Sequence, residues 1–178
     1  LTERDLGKSK MTTEVFWVSG EYPGRIAMVA RPRGGDWLES EISGWANAGI
    51  DLVVSMLEES ETREFELERE AEFYRTYGIE FISFPVADRG VPTLNKEFLT
   101  LVKKLKRALL AGKSVAIHCR QSIGRAPLLA AAVMTLFDME SDEAFRRLSI
   151  ARGREVPETP EQGDWIKRFS KERTLAYA

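Results

Sequence analysis

The sequence is nearly devoid of two reactive side chains: its 178 residues include one cysteine and one histidine. A single cysteine excludes an internal disulfide framework, and one histidine with one cysteine makes a poor metal site. No apolar run approaches the ~20 residues that a membrane-spanning helix needs. Repeats and low-complexity stretches are also absent. These absences argue against a disulfide-stapled secreted domain, a metalloenzyme and a membrane protein.

The charge balance gives no indication of a nucleic-acid or membrane partner. The chain has 26 Lys and Arg against 28 Asp and Glu, for a formal net charge of −2, so no global field attracts nucleic acid or anionic lipid. The length favours one domain. We expect residues 1–12 to be a flexible leader and residues 13–178 to form that domain as a monomer. A free thiol fits a reducing compartment, so we expect the cytoplasm.

What the sequence does contain is the run His-Cys-Arg-Gln-Ser-Ile-Gly-Arg at residues 118–125. A β-branched apolar run, Ser114–Ile117, precedes it, and an apolar helical pattern, Pro127–Phe137, follows it. The predicted order is therefore strand, tight loop and helix. Such a loop turns backbone N–H groups inward and directs a helix N-terminus at its centre, and both features favour an anion.

The residue types in this loop indicate a phosphoryl group held against a sulfur nucleophile. Positive potential favours a thiolate at Cys119, and the planar guanidinium of Arg125 suits a phosphate. A lone cysteine is most often a small buried hydrophobe, and a Cys with an Arg six positions later can occur by accident. The strand before, the helix after, the adjacent His118 and the preceding Gly124 favour the functional interpretation.

The loop resembles the signature loop of the cysteine-dependent protein tyrosine phosphatases, in which His-Cys is followed by five residues and Arg. From about Arg25 to Phe169 the chain is similar to the small atypical dual-specificity branch, the kinase-associated phosphatase type included. Phe84–Pro92 resembles that family's general-acid loop, and Glu158–Gln162 resembles a late segment of several small members.

The resemblance implies hydrolysis of a phosphorylated protein or a small phosphomonoester through a phosphocysteine intermediate. Cys119 would be the nucleophile, Arg125 would bind phosphoryl oxygens, and Asp88 would act first as acid and then as base. No cofactor and no metal are expected. Asp88 is alternatively a plain turn residue, because Asp-Arg-Gly-Val-Pro favours a turn.

Further residues are expected to support this site. The phosphate-binding set comprises Arg120, Gln121, Ser122, Ile123, Gly124 and Arg125, which contribute their backbone amides. His118 is interpreted as a structural residue that orients the loop and supports the thiolate. Gln162 either positions the second water or is an exposed residue at a helix start. Arg120 could contact an additional anionic group, although a salt bridge to a neighbouring carboxylate is the preferred interpretation.

Two residues depart from the family pattern. Ser122 stands where the family usually has Gly, and if φ is positive there, Ser carries strain of about 1 kcal/mol or more. Ala126 stands where the family usually has a hydroxyl residue, which should slow breakdown of the phosphocysteine. These departures leave open a catalytically weakened phosphate-binding module. Arg120, through an additional anionic group, leaves open a phosphoinositide or small-molecule phosphatase.

Apolar patterns along the chain predict an α/β fold with a mixed central sheet of about five strands and helices on both sides. The resemblance implies that this is the fold of the protein tyrosine phosphatases. The predicted strands are Glu14–Val18, Arg25–Ala30, Ile50–Leu57, Ile79–Val86 and the Val115 run. The predicted helices run from the Asp36 cap to Ala48, and over Asn95–Ala111, Pro127–Phe137, Ser141–Arg152 and Thr159–Glu172. The acidic segment 58–77 is predicted to present a solvated helix face. The site should lie at the carboxyl end of a central strand.

Overall fold

A computed structural model describes residues 13–177, and the side chains of residues 13–172. The predicted leader, residues 1–12, lies outside the described residues. The five strands are β1 (Val15–Val18), β2 (Arg25–Ala30), β3 (Leu52–Ser55), β4 (Glu80–Ser83) and β5 (Ser114–Cys119). The described α-helices are α1 (Leu38–Asn47), α2 (Glu59–Glu64), α3 (Glu70–Thr76), α4 (Lys96–Leu110), α5 (Arg125–Thr135), α6 (Ser141–Arg152) and α7 (Pro160–Tyr177).

The strands form one mixed sheet in the order β1-β2-β5-β3-β4. Strand β1 is antiparallel to β2, and the other neighbours are parallel. The α/β fold predicted from the sequence is therefore confirmed. Every residue of the central strand β5 is buried, as expected for a parallel strand covered on both faces. Because the four parallel strands end at the same edge, the loops that follow them converge there.

Helices cover both faces of the sheet and create two apolar layers. Helices α4 and α5 pack on one face of β5, whereas α1 and α3 pack together on the other side. Successive side chains of a strand point to opposite faces. Accordingly, Ile117 and Cys119 belong to the layer of α4 and α5, whereas Ala116 belongs to the layer of α1 and α3. His118 also faces the second layer, with its ring centroid 6.1 Å from that of Trp45.

The two helices nearest to the predicted site form for identifiable reasons. Helix α4 begins after Asn95, whose side-chain oxygen accepts a hydrogen bond of 2.9 Å from the Phe98 N–H, as an N-cap does. Helix α5 is buried at every position, as its apolar sequence predicts for a helix in the core. Pro127 lies in its first turn, where backbone N–H groups have no acceptor within the helix, so proline costs no hydrogen bond.

Two local predictions are corrected by the structure. Asp36 does not cap α1, because it lies inside a short 3-10 turn, Gly35–Trp37, that precedes the helix. The acidic segment 58–77 forms two short helices, α2 and α3, and most of its carboxylates are exposed as predicted. The exceptions are Glu61 and Glu70, which are buried. Glu61 pairs with Arg125, and Glu70 Oε2 lies 3.4 Å from His118 Nε2.

Candidate active site

The signature loop connects β5 directly to α5. Cys119 is the last residue of β5 and is almost completely buried, and Arg125 is the first residue of α5. Among the residues that the structure describes, no protein group accepts a hydrogen bond from the amides of residues 121–124. These four N–H groups are therefore available to the oxygens of a bound anion.

A cavity of about 240 Å³ opens over this loop. Its lining comes from three segments and consists of Asp88, Arg89, Cys119, Arg120, Gln121, Ile123, Gly124, Arg125 and Glu158. The fold thus brings together the signature loop, the Asp88 loop and the segment before α7. Neither Ser122 nor Gln162 lines the cavity.

The loop backbone has a special conformation at Ser122 and a close approach at Gly124. Ser122 has a positive φ of 60°, so its backbone lies in the left-handed region, where a non-glycine residue is strained. Its side chain is fully buried, and its Oγ has no hydrogen-bond partner among the described residues. A Cβ atom on Gly124 would lie 2.9 Å from Gln162 Nε2 and 3.0 Å from Glu158 Oε2, which explains why glycine precedes Arg125.

The guanidinium of Arg125 is held by the protein on several sides. Nη1 donates to Glu61 Oε2 at 2.6 Å and Nη2 donates to Glu61 Oε1 at 2.8 Å. Nη1 also reaches the carbonyl oxygens of Met56 (3.2 Å) and Val86 (2.9 Å). Nη2 donates to Asp88 Oδ1 at 3.1 Å. These contacts fix the plane of a side chain that also lines the cavity.

Burial and ion pairing shift the pKa values of Glu61 and Arg125 in opposite directions. Burial alone would raise the pKa of Glu61, but hydrogen bonds from Arg125 and from the Glu58 backbone outweigh it, and the pKa is lowered. Burial alone would lower the pKa of Arg125, but the hydrogen bond to Glu61 and nearby negative charges raise it. Both groups therefore stay ionised near neutral pH, as an orienting ion pair requires.

Asp88 is both a turn residue and a cavity residue. The Gly90 N–H donates to the Ala87 carbonyl at 2.8 Å, and Arg89 has φ = 59°, so the segment turns as its composition predicts. The Asp88 side chain is about half exposed and directs a carboxylate oxygen to Arg125. The turn thus presents the carboxylate to the site instead of pointing it into solvent.

The Asp88 loop is attached to the chain that precedes α7. Arg89 Nη1 lies 2.8 Å from Glu158 Oε1. Gln162 Nε2 donates to the Gly90 carbonyl at 3.1 Å, and Gln162 Oε1 accepts from the Thr159 N–H at 3.2 Å. Gln162 is fully buried, which contradicts one of the two alternatives for this residue, an exposed position at a helix start. Its amide joins the Asp88 loop to the start of α7.

His118 faces the layer of the sheet opposite to that of Cys119. It is fully buried, and its Nε2 is 3.4 Å from Glu70 Oε2. His118 does not line the cavity, and neither ring nitrogen has a hydrogen-bond partner among the described residues. The predicted role of His118 in orienting the loop and supporting the thiolate stays a prediction.

Sequence reasoning missed Glu61 and the pair formed by Arg89 and Glu158. Glu61 was grouped with a solvated acidic run, although the spacing of Glu58 and Glu61 is that of a capping box, which the structure contains. That spacing could have marked a helix start, but nothing in it indicates Arg125. The Arg89–Glu158 contact joins residues 69 positions apart, and no local pattern predicts it.

The family described as "Dual specificity phosphatase, catalytic domain" matches residues 37–171. The chain belongs to this family. It is a cysteine-dependent dual-specificity phosphatase, as the signature loop predicted. No curated protein sequence matches the chain, so the assignment depends on the family match and on the fold.

Solved phosphatase structures share the fold of this dual-specificity phosphatase. Kinase-associated phosphatase with serine at the catalytic cysteine has a TM-score of 0.84 at 18% identity, over 93% of this chain and 98% of that one. Tk-PTP in the active form has a TM-score of 0.71 at 23% identity, over 88% of this chain and 96% of that one. PTPMT1 in complex with PI(5)P has a TM-score of 0.70 at 22% identity, over 86% of this chain and 94% of that one.

The described residues contain neither a candidate membrane helix nor a candidate metal-binding cluster. None of their helices has the length and apolar character needed to cross a membrane. No group of three or more His, Cys, Asp or Glu side chains among them is placed to hold a metal ion.

Proposed function

We propose that this phosphatase hydrolyses phosphomonoesters through a phosphocysteine on Cys119. Arg125 and the amides of the loop hold the phosphoryl group, and Asp88 transfers the proton. The observation that carries the proposal is the single cavity lined by Cys119, Arg125 and Asp88, above a loop whose amides at residues 121–124 have no protein acceptor among the described residues.

In the first displacement, the Cys119 thiolate attacks phosphorus, and the bond to the leaving oxygen breaks. The loop amides and the Arg125 guanidinium stabilise the equatorial oxygens. Incoming phosphoryl oxygens take the place of the Asp88 carboxylate at Arg125 Nη2. Asp88 then lies beside the leaving oxygen and gives it a proton.

In the second displacement, a water attacks the phosphocysteine and releases inorganic phosphate and the thiolate. Asp88, now without its proton, accepts one from that water. The same amides and Arg125 hold the oxygens again, so the cradle serves both steps. Glu61 keeps Arg125 in place throughout, because its two oxygens bind both Nη atoms.

The expected substrate is a phosphorylated protein or a small phosphomonoester. The cavity of about 240 Å³ can hold a phosphoryl group, and its lining combines two carboxylates, Asp88 and Glu158, with the arginines Arg89, Arg120 and Arg125. We propose a cytoplasmic location, because the proposed reaction needs a reduced thiol at Cys119, which an oxidising compartment would not preserve. A monomer remains our expectation from the sequence.

The test replaces Cys119 with Ser and measures turnover and ligand binding separately. The hydroxyl is a poor nucleophile at neutral pH, whereas the amide cradle is unchanged. Turnover of an aryl phosphate should disappear, and calorimetric binding of phosphate or tungstate should persist. In the parent protein, acid quenching during turnover should trap a phosphorylated protein that Cys119→Ser never forms. Residual turnover of Cys119→Ser above about one percent of the parent would remove the thiol from the mechanism.

A further inference from the structure

Two arginines meet at the carboxyl ends of β2 and β5, next to the cavity. The register pairs Ala30 of β2 with Cys119 of β5, so the following residues, Arg31 and Arg120, are neighbours across the sheet edge. The Arg31 N–H donates to the Arg120 carbonyl at 3.4 Å. This backbone contact fixes Arg31 beside the first residue of the signature loop.

Both guanidinium groups lie over one aromatic ring. The Arg31 Cζ is 3.9 Å from the centroid of the Phe65 ring, and the Arg120 Cζ is 5.0 Å from it. Phe65 follows the last residue of α2 and is partly buried against the core. A guanidinium stacked on a ring can still donate hydrogen bonds from its N–H edge to a ligand. The Phe65 ring therefore orders both guanidinium groups without occupying their hydrogen-bond donors.

Positive charge exceeds negative charge at this position. Glu64 lies 3.6 Å from Arg120, which is the salt bridge anticipated from the sequence. Arg31 has no carboxylate within 4 Å among the described residues, and its Nη1 donates to the Pro32 carbonyl at 3.2 Å. Burial lowers the pKa of Arg31, and the charge of Arg120 lowers it further, while Glu64 acts in the opposite direction. One carboxylate therefore faces two cations, which repel each other.

We propose that Arg31 and Arg120 form a second anion subsite, and that the preferred substrate is a small phosphomonoester with a second phosphate group. The proposal depends on the phosphatase function above, because the first phosphate occupies the cradle. Arg120 lines the catalytic cavity and is adjacent to the nucleophile. The second phosphate must therefore lie only a few bonds from the first. The planar guanidinium groups of Arg31 and Arg120 can each donate two hydrogen bonds to the oxygens of this second phosphate.

Arg33 is close in sequence but does not belong to the subsite. It donates to Glu41 through Nε at 2.7 Å, and the Glu41 carboxylate is fully buried. This pair neutralises Arg33 and anchors it to α1. The excess charge is therefore confined to Arg31 and Arg120.

The test compares two substrates that differ by one phosphate: 3-hydroxyphenyl phosphate and benzene-1,3-diyl bisphosphate. We expect the parent protein to prefer the bisphosphate by about tenfold in kcat/KM, as one or two charge-assisted contacts would give. Arg31→Gln should reduce that ratio to near one. Glu64→Gln should increase the ratio, because it removes the carboxylate that competes for Arg120. The preference should also weaken with added salt.

The matched control is Arg63→Gln. Arg63 lies on α2 beside Glu64, is 67% exposed and pairs with Glu59, so the variant makes the same charge change without touching the subsite. Its ratio should equal that of the parent. Thermal unfolding of each variant identifies a loss of fold, and a second variant, Arg31→Lys, should keep part of the preference if Arg31 acts through its charge.

Two outcomes would overturn the subsite. One is equal kcat/KM for the two substrates in the parent protein, and the other is an unchanged ratio in folded Arg31→Gln. Failure of the proposed function looks different, because neither substrate would then be hydrolysed. In that case calorimetric affinities of the two compounds, measured on the same variants, replace the kinetic ratio and decide the question.

Discussion

Arg125 and Glu61 form a two-pronged ion pair, with Nη1–Oε2 and Nη2–Oε1 distances of 2.6 and 2.8 Å, although they are 64 residues apart in the chain. The pair joins the first residue of α5 to the short helix α2. Both side chains are nearly inaccessible to solvent. If Arg125 binds a phosphoryl group as proposed, a guanidinium held in this way presents itself in one orientation, so little ordering remains for the moment of binding.

Replacing Glu61 with Gln should weaken both stability and catalysis. The amide retains the shape but cannot accept two charge-assisted bonds, so we expect a loss of about 2 kcal/mol in the free energy of unfolding. We also expect kcat/KM to fall about tenfold, because Arg125 is less well oriented. Urea unfolding and steady-state kinetics measure the two effects. Glu59→Gln on the same helix, whose side chain is 80% exposed, is the control.

The stability effect of Glu61 should depend on pH with a defined sign. Its pKa is lower in the folded protein than the ordinary value of 4.5, so its contribution is complete above about pH 4.5 and is lost as the pH falls through the folded value. The difference in unfolding free energy between the parent and Glu61→Gln should thus shrink in acid. A difference that stays constant from pH 7 to pH 3 would show that the ion pair does not stabilise the fold.

Changing Asp88 to Asn should affect substrates according to their leaving groups. A poor leaving group needs a proton, so its hydrolysis should slow by about a hundredfold or more. An activated aryl phosphate departs without that proton and should slow much less in the first step. Rapid-quench measurements of that step give the comparison, and Asp142→Asn, an exposed carboxylate on α6, is the control. Equal slowing of both substrate types would assign Asp88 to positioning only.

Replacing Gln162 with Leu should slow the same step as replacing Asp88 with Asn. Gln162 Nε2 holds the Gly90 carbonyl of the Asp88 loop, so its loss should let that loop move and slow the first step for poor leaving groups by about tenfold. Glu161→Leu, at an exposed neighbouring position, is the control. If breakdown of the phosphocysteine slows instead, Gln162 acts on the attacking water.

Replacing Ser122 with Gly should stabilise the protein. Gly adopts φ = 60° without a Cβ clash, and the change also removes a buried hydroxyl that lacks a partner among the described residues. We expect a gain of about 1 kcal/mol in the free energy of unfolding. Glu66→Gly is the matched control for backbone strain, because Glu66 has φ = 54° away from the cavity. A lower stability of Ser122→Gly would show that chain entropy outweighs the strain.

Introducing Ser at Ala126 should act on the second displacement. Ala126 is fully buried and belongs to the same apolar layer as Cys119, so a hydroxyl there could stabilise the departing sulfur. Breakdown of the phosphocysteine should accelerate several-fold, and any burst of released alcohol should shrink. Ala130→Ser, one turn further along the buried helix α5, tests whether a buried hydroxyl alone changes the rate. Faster formation without faster breakdown would contradict this role.

The strand, loop and helix that carry the signature motif could be predicted because these residues are contiguous. The loop from His118 to Arg125 is local, and the apolar pattern on each side fixes a strand before it and a helix after it. The mixed sheet followed from the same periodicity. Asp88 could be placed only through the resemblance, since the turn chemistry of its segment carries no information about where the carboxylate points.

The contacts that orient the site could not be predicted, because they join distant segments. A buried glutamate in an acidic run looks like a solvated one until its partner is known, and Glu61 and Glu70 were both assigned to a solvated face for that reason. Gln162 was predicted at a helix start, which the structure shows, but its burial depends on Gly90 and Gly124, which approach it only in the folded chain.

The alternation along β5 makes this strand sensitive to a change of length. His118 and Cys119 are adjacent in the chain but enter opposite layers of the protein. An extra residue between Gly112 and Ile117 that shifted the register by one would bring the imidazole to the place of the thiol, whereas a missing residue would bring the thiol to the place of the imidazole, near Trp45. Either chain would retain nearly the same composition and would lose the thiol from the loop that lines the cavity.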